Sequence, residues 1–374
     1  MPKDTFLTPN IQLRIIIFTS MKTIDYKVLG VMSGTSLDGV DLAYIHFTKD
    51  SQWHFKILKA ETTRYSPEWK KKLNDGLNCT YRELEELDEE YTSYLATIIS
   101  NFMDKHSTKK LDAVCSHGHT IKHEPENGFT LQIGNLPKLA ALLGARVVCD
   151  FRVQDVGLGG QGAPLVPIGD QLLFAPYTYC VNLGGFANIS TNKDGDRIAY
   201  DICAVNTVLN YYSEKLGKEY DDGGKIARSG KFDPDLYELL EALPFYKLNS
   251  PKSLGMEWVN SSILPILKSF EEDIPSIMNT YCQHIASEIA KNMKDDPNVE
   301  ALFTGGGVFN NFLMELLQQK TTAKLSIPAS EIVNFKEAVI FGFLGVLKLR
   351  EEINVLSSVT GAEYDHCAGL VYEP

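Results

Sequence analysis

Two stretches far apart in the chain read as the same unit. Tyr26-Lys-Val-Leu-Gly-Val-Met32 leads into the turn Ser33-Gly-Thr-Ser-Leu-Asp-Gly39, and Val40-Asp-Leu-Ala-Tyr-Ile-His-Phe47 leads out of it. Tyr179-Cys-Val-Asn182 leads into Leu183-Gly-Gly185, and Phe186-Ala-Asn-Ile-Ser190 leads out. Each is strand, glycine turn, strand, with Val40, Leu42 and Tyr44 alternating as in a half-buried strand. A unit that opens each half of the chain predicts two related α/β lobes facing a cleft. The length of 374 residues, too great for one ordinary core, agrees.

Between and after these units the pattern alternates strand and helix. Phe55 to Thr62 predicts a third strand, and Leu111 to Ser116 a short one that ends in the loop Ser116-His-Gly-His-Thr120. Arg146 to Asp150 predicts another strand, followed by a glycine-rich loop from Asp155 to Pro167. In Tyr81 to Lys105, residues Leu84, Leu87, Tyr91, Leu95, Ile98 and Phe102 fall on one helical face. Ser276 to Met293 and Glu337 to Glu351 predict two further helices. The expected division is an extension over 1–20, a first lobe over 21–176 and a second over 177–345. A C-terminal segment, 346–374, returns to the first lobe. Met21 is the expected native start. Arg14 interrupts the apolar run Ile15 to Phe18 on its N-terminal side and no small-residue cleavage site follows, so a signal peptide is not expected.

Composition narrows the function. A net charge of -12 argues against nucleic acid as the main partner. No apolar run approaches the ~18 residues that span a membrane. The seven cysteines are widely spaced with no Cys-x-x-Cys pair, which fits reduced thiols in a cytoplasmic protein and not a zinc site.

Three glycine turns carry the chemistry. In the first, Ser33, Gly34, Thr35 and Ser36 offer backbone N–H groups and hydroxyls to phosphate, and Asp38 offers a carboxylate that can hold magnesium through water. A tight turn with no ligand is the alternative. Gly184 and Gly185 repeat the phosphate chemistry from the second half. Gly305, Gly306 and Gly307 stand between a strand and a helix, where the helix N-terminus favours negative charge. Gly157, Gly159 and Gly162 match G-x-G-x-x-G, but Pro164 and Pro167 follow where a dinucleotide fold needs a helix. There is no Walker loop.

The stretches Met32-Ser-Gly-Thr-Ser-Leu-Asp-Gly-Val-Asp41, Ser116-His-Gly-His-Thr-Ile-Lys-His-Glu-Pro125, Leu131-Gln-Ile-Gly-Asn135, Asp150-Phe-Arg-Val-Gln-Asp155, Gly159-Gly-Gln-Gly-Ala-Pro-Leu-Val-Pro167, Pro251-Lys-Ser-Leu-Gly255 and Gly305-Gly-Gly307 occur in one order over most of the chain. Together they resemble the signature of the anhydro-N-acetylmuramic acid kinases. The resemblance implies a two-lobed actin-like ATPase fold with ribonuclease H-like domains and ATP in the interlobe cleft. It implies ATP and Mg2+ as cofactors. The implied reaction opens a 1,6-anhydro sugar with water and phosphorylates the freed oxygen. A homodimer is a family expectation.

The family base lies in an Asp-x-Gly-Pro-Gly-Asn stretch, which here is Asp201-Ile-Cys-Ala-Val-Asn206. Asp201 is therefore the expected general base; the alternative is a carboxylate capping the helix near Asn206. Cys203-Ala204-Val205 replaces Gly-Pro-Gly, which predicts side chains in a loop the family keeps bare. His119 for glutamine and Met256 for arginine are further departures. The expected sugar contacts are His117, Gln132, Asn135, Asp150, Arg152 and Gln161. Arg152 suits a lactyl carboxylate, or else an ion pair with Asp150 or Asp155. His117, His119 and His123 lack the second cluster a metal needs. A kinase for another anhydro- or amino sugar, or a nucleotide-binding sensor, are the alternatives.

Overall fold

A computed structural model describes residues 24–108 and 110–374. The expectations for an extension over 1–20 and a start at Met21 lie outside the described residues. The strands are β1 (Ile24–Ser33), β2 (Gly39–Lys49), β3 (Trp53–Arg64), β4 (Ala113–Glu124), β5 (Phe129–Ile133) and β6 (Val147–Cys149), then β7 (Tyr179–Leu183), β8 (Phe186–Lys193), β9 (Asp196–Ala204), β10 (Glu300–Thr304), β11 (Lys324–Ser326) and β12 (Leu370–Tyr372).

They form two sheets of one topology. In the first, β3-β2-β1 is an antiparallel meander and β4 then β6 join β1 in parallel. In the second, β9-β8-β7 is the meander and β10 then β11 join β7 in parallel. The repeated unit read in the sequence is thus the start of a repeated sheet. Two such sheets make the two-lobed actin-like ATPase fold, each with a ribonuclease H-like core.

Burial explains the details. β1 is buried at every position from Val28 to Ser33, as a central strand must be when both faces of its sheet are covered. The predicted face of helix Tyr81–His106 is buried throughout and covers one side of the first sheet. Helix Ser330–Leu349 covers the other side, packing on β1, β2 and β4. It rides so close that a Cβ on Gly30 would lie 2.0 Å from the Ala338 carbonyl oxygen, so only glycine fits there. The expected half-burial of β2 is corrected for the same reason: Val40 and Leu42 pack on one face, Ala43, Ile45 and Phe47 on the other. After that helix the chain adds β12 to the first sheet, antiparallel to β6.

Two local expectations differ. The loop expected at Ser116–Thr120 is strand, because β4 runs on to Glu124 and pairs with β5. The glycine-rich loop opens with a short helix, Val153–Gly157. The sheets meet at a buried polar junction. Lys336 Nζ pairs with Asp170 at 2.7 Å, Ser190 donates to Asp170, and Arg197 Nη2 donates to Ser190 at 2.7 Å. Asp170 and Lys336 belong to helices of the first sheet's side, Ser190 and Arg197 to β8 and β9.

Candidate active site

Most of the residues singled out in the sequence follow the carboxyl ends of the strands β1, β6, β7 and β10, where open α/β sheets bind ligands, while Gln132 and Asp201 lie on the antiparallel strands β5 and β9. At the end of β1 the turn 34–38 exposes Thr35, Ser36 and Asp38. Ser33 is different: its hydroxyl is buried and shares hydrogen bonds with Tyr65 and His119 Nδ1, both at 2.7 Å. Tyr65 is bonded in turn to Tyr91. Burial pushes the Tyr65 phenol up to about 12 and the His119 ring down to about 4, so this chain is uncharged at neutral pH. The hydroxyl of Ser33 therefore anchors the turn from beneath.

At the end of β4, His117 is buried with both ring nitrogens engaged. Nδ1 donates to the Gly118 carbonyl at 2.9 Å, and Nε2 accepts from Arg152 Nε at 2.9 Å. One neutral tautomer satisfies both bonds. Burial and the Arg152 charge hold the ring well below its usual pKa. Arg152 Nη1 donates to the Gly162 carbonyl at 2.6 Å, and burial lowers its guanidinium to about 10. The ion pair with Asp150 or Asp155 does not form; Arg152 has no carboxylate within bonding distance among the described residues. Asp155 instead accepts from the Gly162 N–H and from Thr360. The second guanidinium nitrogen of Arg152 has no hydrogen-bond partner among the described residues.

Gln132 and Asn135 each bury a carbonyl oxygen without a partner. Their amide groups are used internally, by Thr130 for Gln132 and by the His117 carbonyl for Asn135. Both are closed to solvent and left without a donor, a state that costs free energy until a donor reaches them. Asp150 adopts a left-handed backbone, φ 58°, and burial raises its carboxyl. Gln161 is exposed and its N–H is held by the Thr360 carbonyl.

In the second lobe the two remaining turns lie against each other. Gly305 has φ 83°, and a Cβ there would lie 2.6 Å from Asn182 Oδ1 and 2.7 Å from the Leu183 carbonyl carbon. The Gly185 carbonyl accepts from the N–H groups of Val205 and Thr207, which docks that turn on the start of helix Asn206–Lys215. Asn206 donates to the Leu183 carbonyl at 3.2 Å. Beside Gly306 and Asn206 opens a cavity of about 520 Å³, lined also by Tyr220, Asp221, Gly223 and Phe309.

Asp201 stands on β9, a strand the sequence reading missed. It does not cap helix Asn206–Lys215, whose first residues receive no side-chain cap. Its Oδ2 accepts from the Leu254 N–H at 2.8 Å and the Ser253 hydroxyl at 3.2 Å. Burial raises its carboxyl and these two bonds oppose the rise. A bulge opposite Ala187 and Asn188 falls at Ile202, a device that re-aims a neighbouring side chain. Asp201 makes no hydrogen bond to the other singled-out residues.

The expectation for Cys203-Ala204-Val205 is corrected. All three are fully buried in the core of the second lobe, against helix Ile274–Lys291. They add apolar packing and put no side chain into the site. One residue and one contact were missed. Glu337 keeps solvent contact although protein surrounds it; burial and Asp41's charge raise its carboxyl and Arg152's charge opposes them. Its signal in the sequence is a Lys336-Glu337 pair directly before the apolar run Ala338–Leu347 of that helix. The other is the grip on Asp201 by Ser253 and Leu254: the stretch Pro251–Gly255 was singled out in the sequence, its contact with Asp201 was not. Glu241, His284 and Glu288 have metal-like spacing, but Lys291 bridges both carboxylates and supplies the cation.

Two lobes of one topology, each with a glycine turn at its strand ends, and a positioned carboxylate in the second fit the class of two-lobed ATP-dependent phosphotransferases. Residues 26–374 match the family described as anhydro-N-acetylmuramic acid kinase, and the chain belongs to that family. It is 32% identical over 368 residues to the anhydro-N-acetylmuramic acid kinase of Sulfurimonas denitrificans, covering 92% of this chain and 99% of that one. It is 33% identical over 377 residues to the enzyme of that name from Pasteurella multocida, covering 94% and 98%. Among solved structures, a ligand-bound xylulose kinase from Lactobacillus acidophilus aligns over 93% of this chain and 94% of its own, at 11% identity and a TM-score of 0.42. No described helix is long and apolar enough to cross a membrane.

Proposed function

We propose that this enzyme opens 1,6-anhydro-N-acetylmuramic acid with water and phosphorylates it at the 6-oxygen, a step of peptidoglycan recycling. Water adds its oxygen to the anomeric carbon, the bond from that carbon to the 6-oxygen breaks, and the 6-oxygen takes the γ-phosphoryl group of ATP. The products are N-acetylmuramic acid 6-phosphate and ADP. The observation that carries this reading is Asp201: one oxygen is held by two donors and the other has no partner among the described residues. Such a carboxylate is a base ready to take the proton of the attacking water.

The phosphates would lie among the backbone N–H groups of Gly34 to Ser36, Gly184, Gly185 and Gly305 to Gly307, and the nucleoside in the cavity by Tyr220 and Phe309. Asp38, exposed among hydroxyls, is an oxygen donor of the kind magnesium takes, and would hold the ion through water. The ion would neutralise phosphate charge. Arg152, with its unpartnered nitrogen, would meet the lactyl carboxylate, and the orphaned oxygens of Gln132 and Asn135 would accept sugar hydroxyls. Lobe 1 would include the chain from residue 330 onward, since that helix packs on its sheet. A cytoplasmic location would suit an ATP-using enzyme, and a homodimer would show as twice the chain mass in light scattering.

The test is ADP release with anhydro-N-acetylmuramic acid beside other anhydro- and amino sugars. Release dependent on the named sugar is expected. Preference for another sugar by tenfold or more in kcat/KM would overturn the substrate assignment.

A further inference from the structure

The segment Lys252–Leu254 behaves as a clasp on the base. The Asp201 N–H donates to the Lys252 carbonyl at 2.9 Å, and the Leu254 N–H returns a bond to Asp201 Oδ2 at 2.8 Å. The segment is itself stapled at both ends. Phe245 and Trp258 lie before and after it with ring centroids 5.2 Å apart. Lys252 Nζ donates to the Phe245 carbonyl at 3.3 Å and lies 4.5 Å from that ring's centroid. Ser253 is exposed, so its hydroxyl is not required to fill a core.

We propose that Ser253 is a positioning residue for the proposed base: with the Leu254 N–H it fixes Oδ2 of Asp201 and leaves Oδ1 free to take the proton. Both donors converge on one oxygen, which selects the carboxylate's rotation as well as its place. A lone backbone donor would leave Oδ2, and with it the rotation about Cβ–Cγ, less tightly held. The hydroxyl also stabilises the ionised form, opposing the burial that favours the acid. The charged and titratable groups around Asp201 are Lys252 on the segment, Cys203 on the same strand and, packed behind Cys203 from helix Ile274–Lys291, Glu288. None of them bonds Oδ1. This inference rests on Asp201 being the base.

Two readouts keep the inference and that reading separable. The first needs no turnover: the Asp201 carboxyl is titrated by carbon NMR in the resting protein, with Asp201→Asn supplying the assignment. In Ser253→Ala the midpoint is expected to rise by about 0.5 to 1 pH unit, the size of one lost hydrogen bond to a carboxylate. An unchanged midpoint overturns the proposal whatever the substrate. The second is kinetic. Ser253→Ala is expected to lower kcat by about tenfold, move the acid limb of kcat/KM to higher pH and leave both KM values within about twofold. Ser253→Thr, which keeps the hydroxyl, is expected to restore both. A loss that Thr does not restore, or that raises KM and leaves the acid limb in place, overturns it. A wild type that turns over no anhydro sugar but shows the titration shift would refute the functional reading alone.

Discussion

The two lobes share a topology and use it differently. In the first, the site edge is built from interlocked side chains: Ser33 with Tyr65 and His119, His117 with Arg152. In the second, it is built from backbone, with two glycine turns packed on each other and one carboxylate, Asp201, held by a separate segment. Fixed side chains suit recognition of a sugar, whose hydroxyls and carboxylate need donors and acceptors at set places. Bare backbone suits phosphate, which needs many N–H groups at close range. In the proposed reading one sheet plan serves both chemistries through what is placed at its strand ends, the first lobe adding the phosphate turn Gly34 to Ser36 to its side-chain network.

The contrast can be broken at its strongest point first. Asp201→Asn is expected to lower kcat by about 10²- to 10⁴-fold while ATP still binds, measured by steady-state kinetics and calorimetry. Gly305→Ala forces a side chain onto the Leu183 backbone at φ 83°; a stability loss of about 1–3 kcal/mol and a loss of ATP binding are expected by thermal denaturation and titration. If ATP binding survived, the backbone account of the second lobe would fail.

In the first lobe, His117→Ala unties Arg152. The KM for the sugar is expected to rise by about tenfold, as one hydrogen bond near a charge is lost, with the KM for ATP unchanged. Smallest is His119→Gln, whose amide can also bond Ser33; kcat/KM is expected to stay within about threefold. Its effect shows in acid. The His119 ring sits near 4 in the fold against 6.5 unfolded, so the unfolded chain binds more protons between those values. Wild-type stability is therefore full above pH 6.5 and falls as the pH drops toward 4. His119→Gln removes that part of the loss, up to about 3 kcal/mol, which denaturant titrations at pH 7 and pH 4.5 measure.

Legibility followed period and chemistry. The β1–turn–β2 unit and helix Tyr81–His106 were plain because their apolar spacing matched one geometry. The extension of β4 was not, because Ser116-His-Gly-His reads as a polar loop; its residues are buried by pairing with β5 and by Tyr65 and Arg152. β9 escaped because Asp201 breaks its apolar run, and Asp201 itself was marked by the family pattern alone. That pattern also misled: Cys203, Ala204 and Val205 align with bare glycine positions yet lie in the core. Glu337 and Ser253 approach the site from distant sequence, and only tertiary packing brings them there.

The most direct test is mass spectrometry of the product formed from ATP, magnesium and 1,6-anhydro-N-acetylmuramic acid. The account predicts a product heavier than the sugar by one phosphoryl group and one water with the wild type, and none at comparable rate with Asp201→Asn. A phosphorylated product lacking the water, or equal turnover by Asp201→Asn, would contradict it.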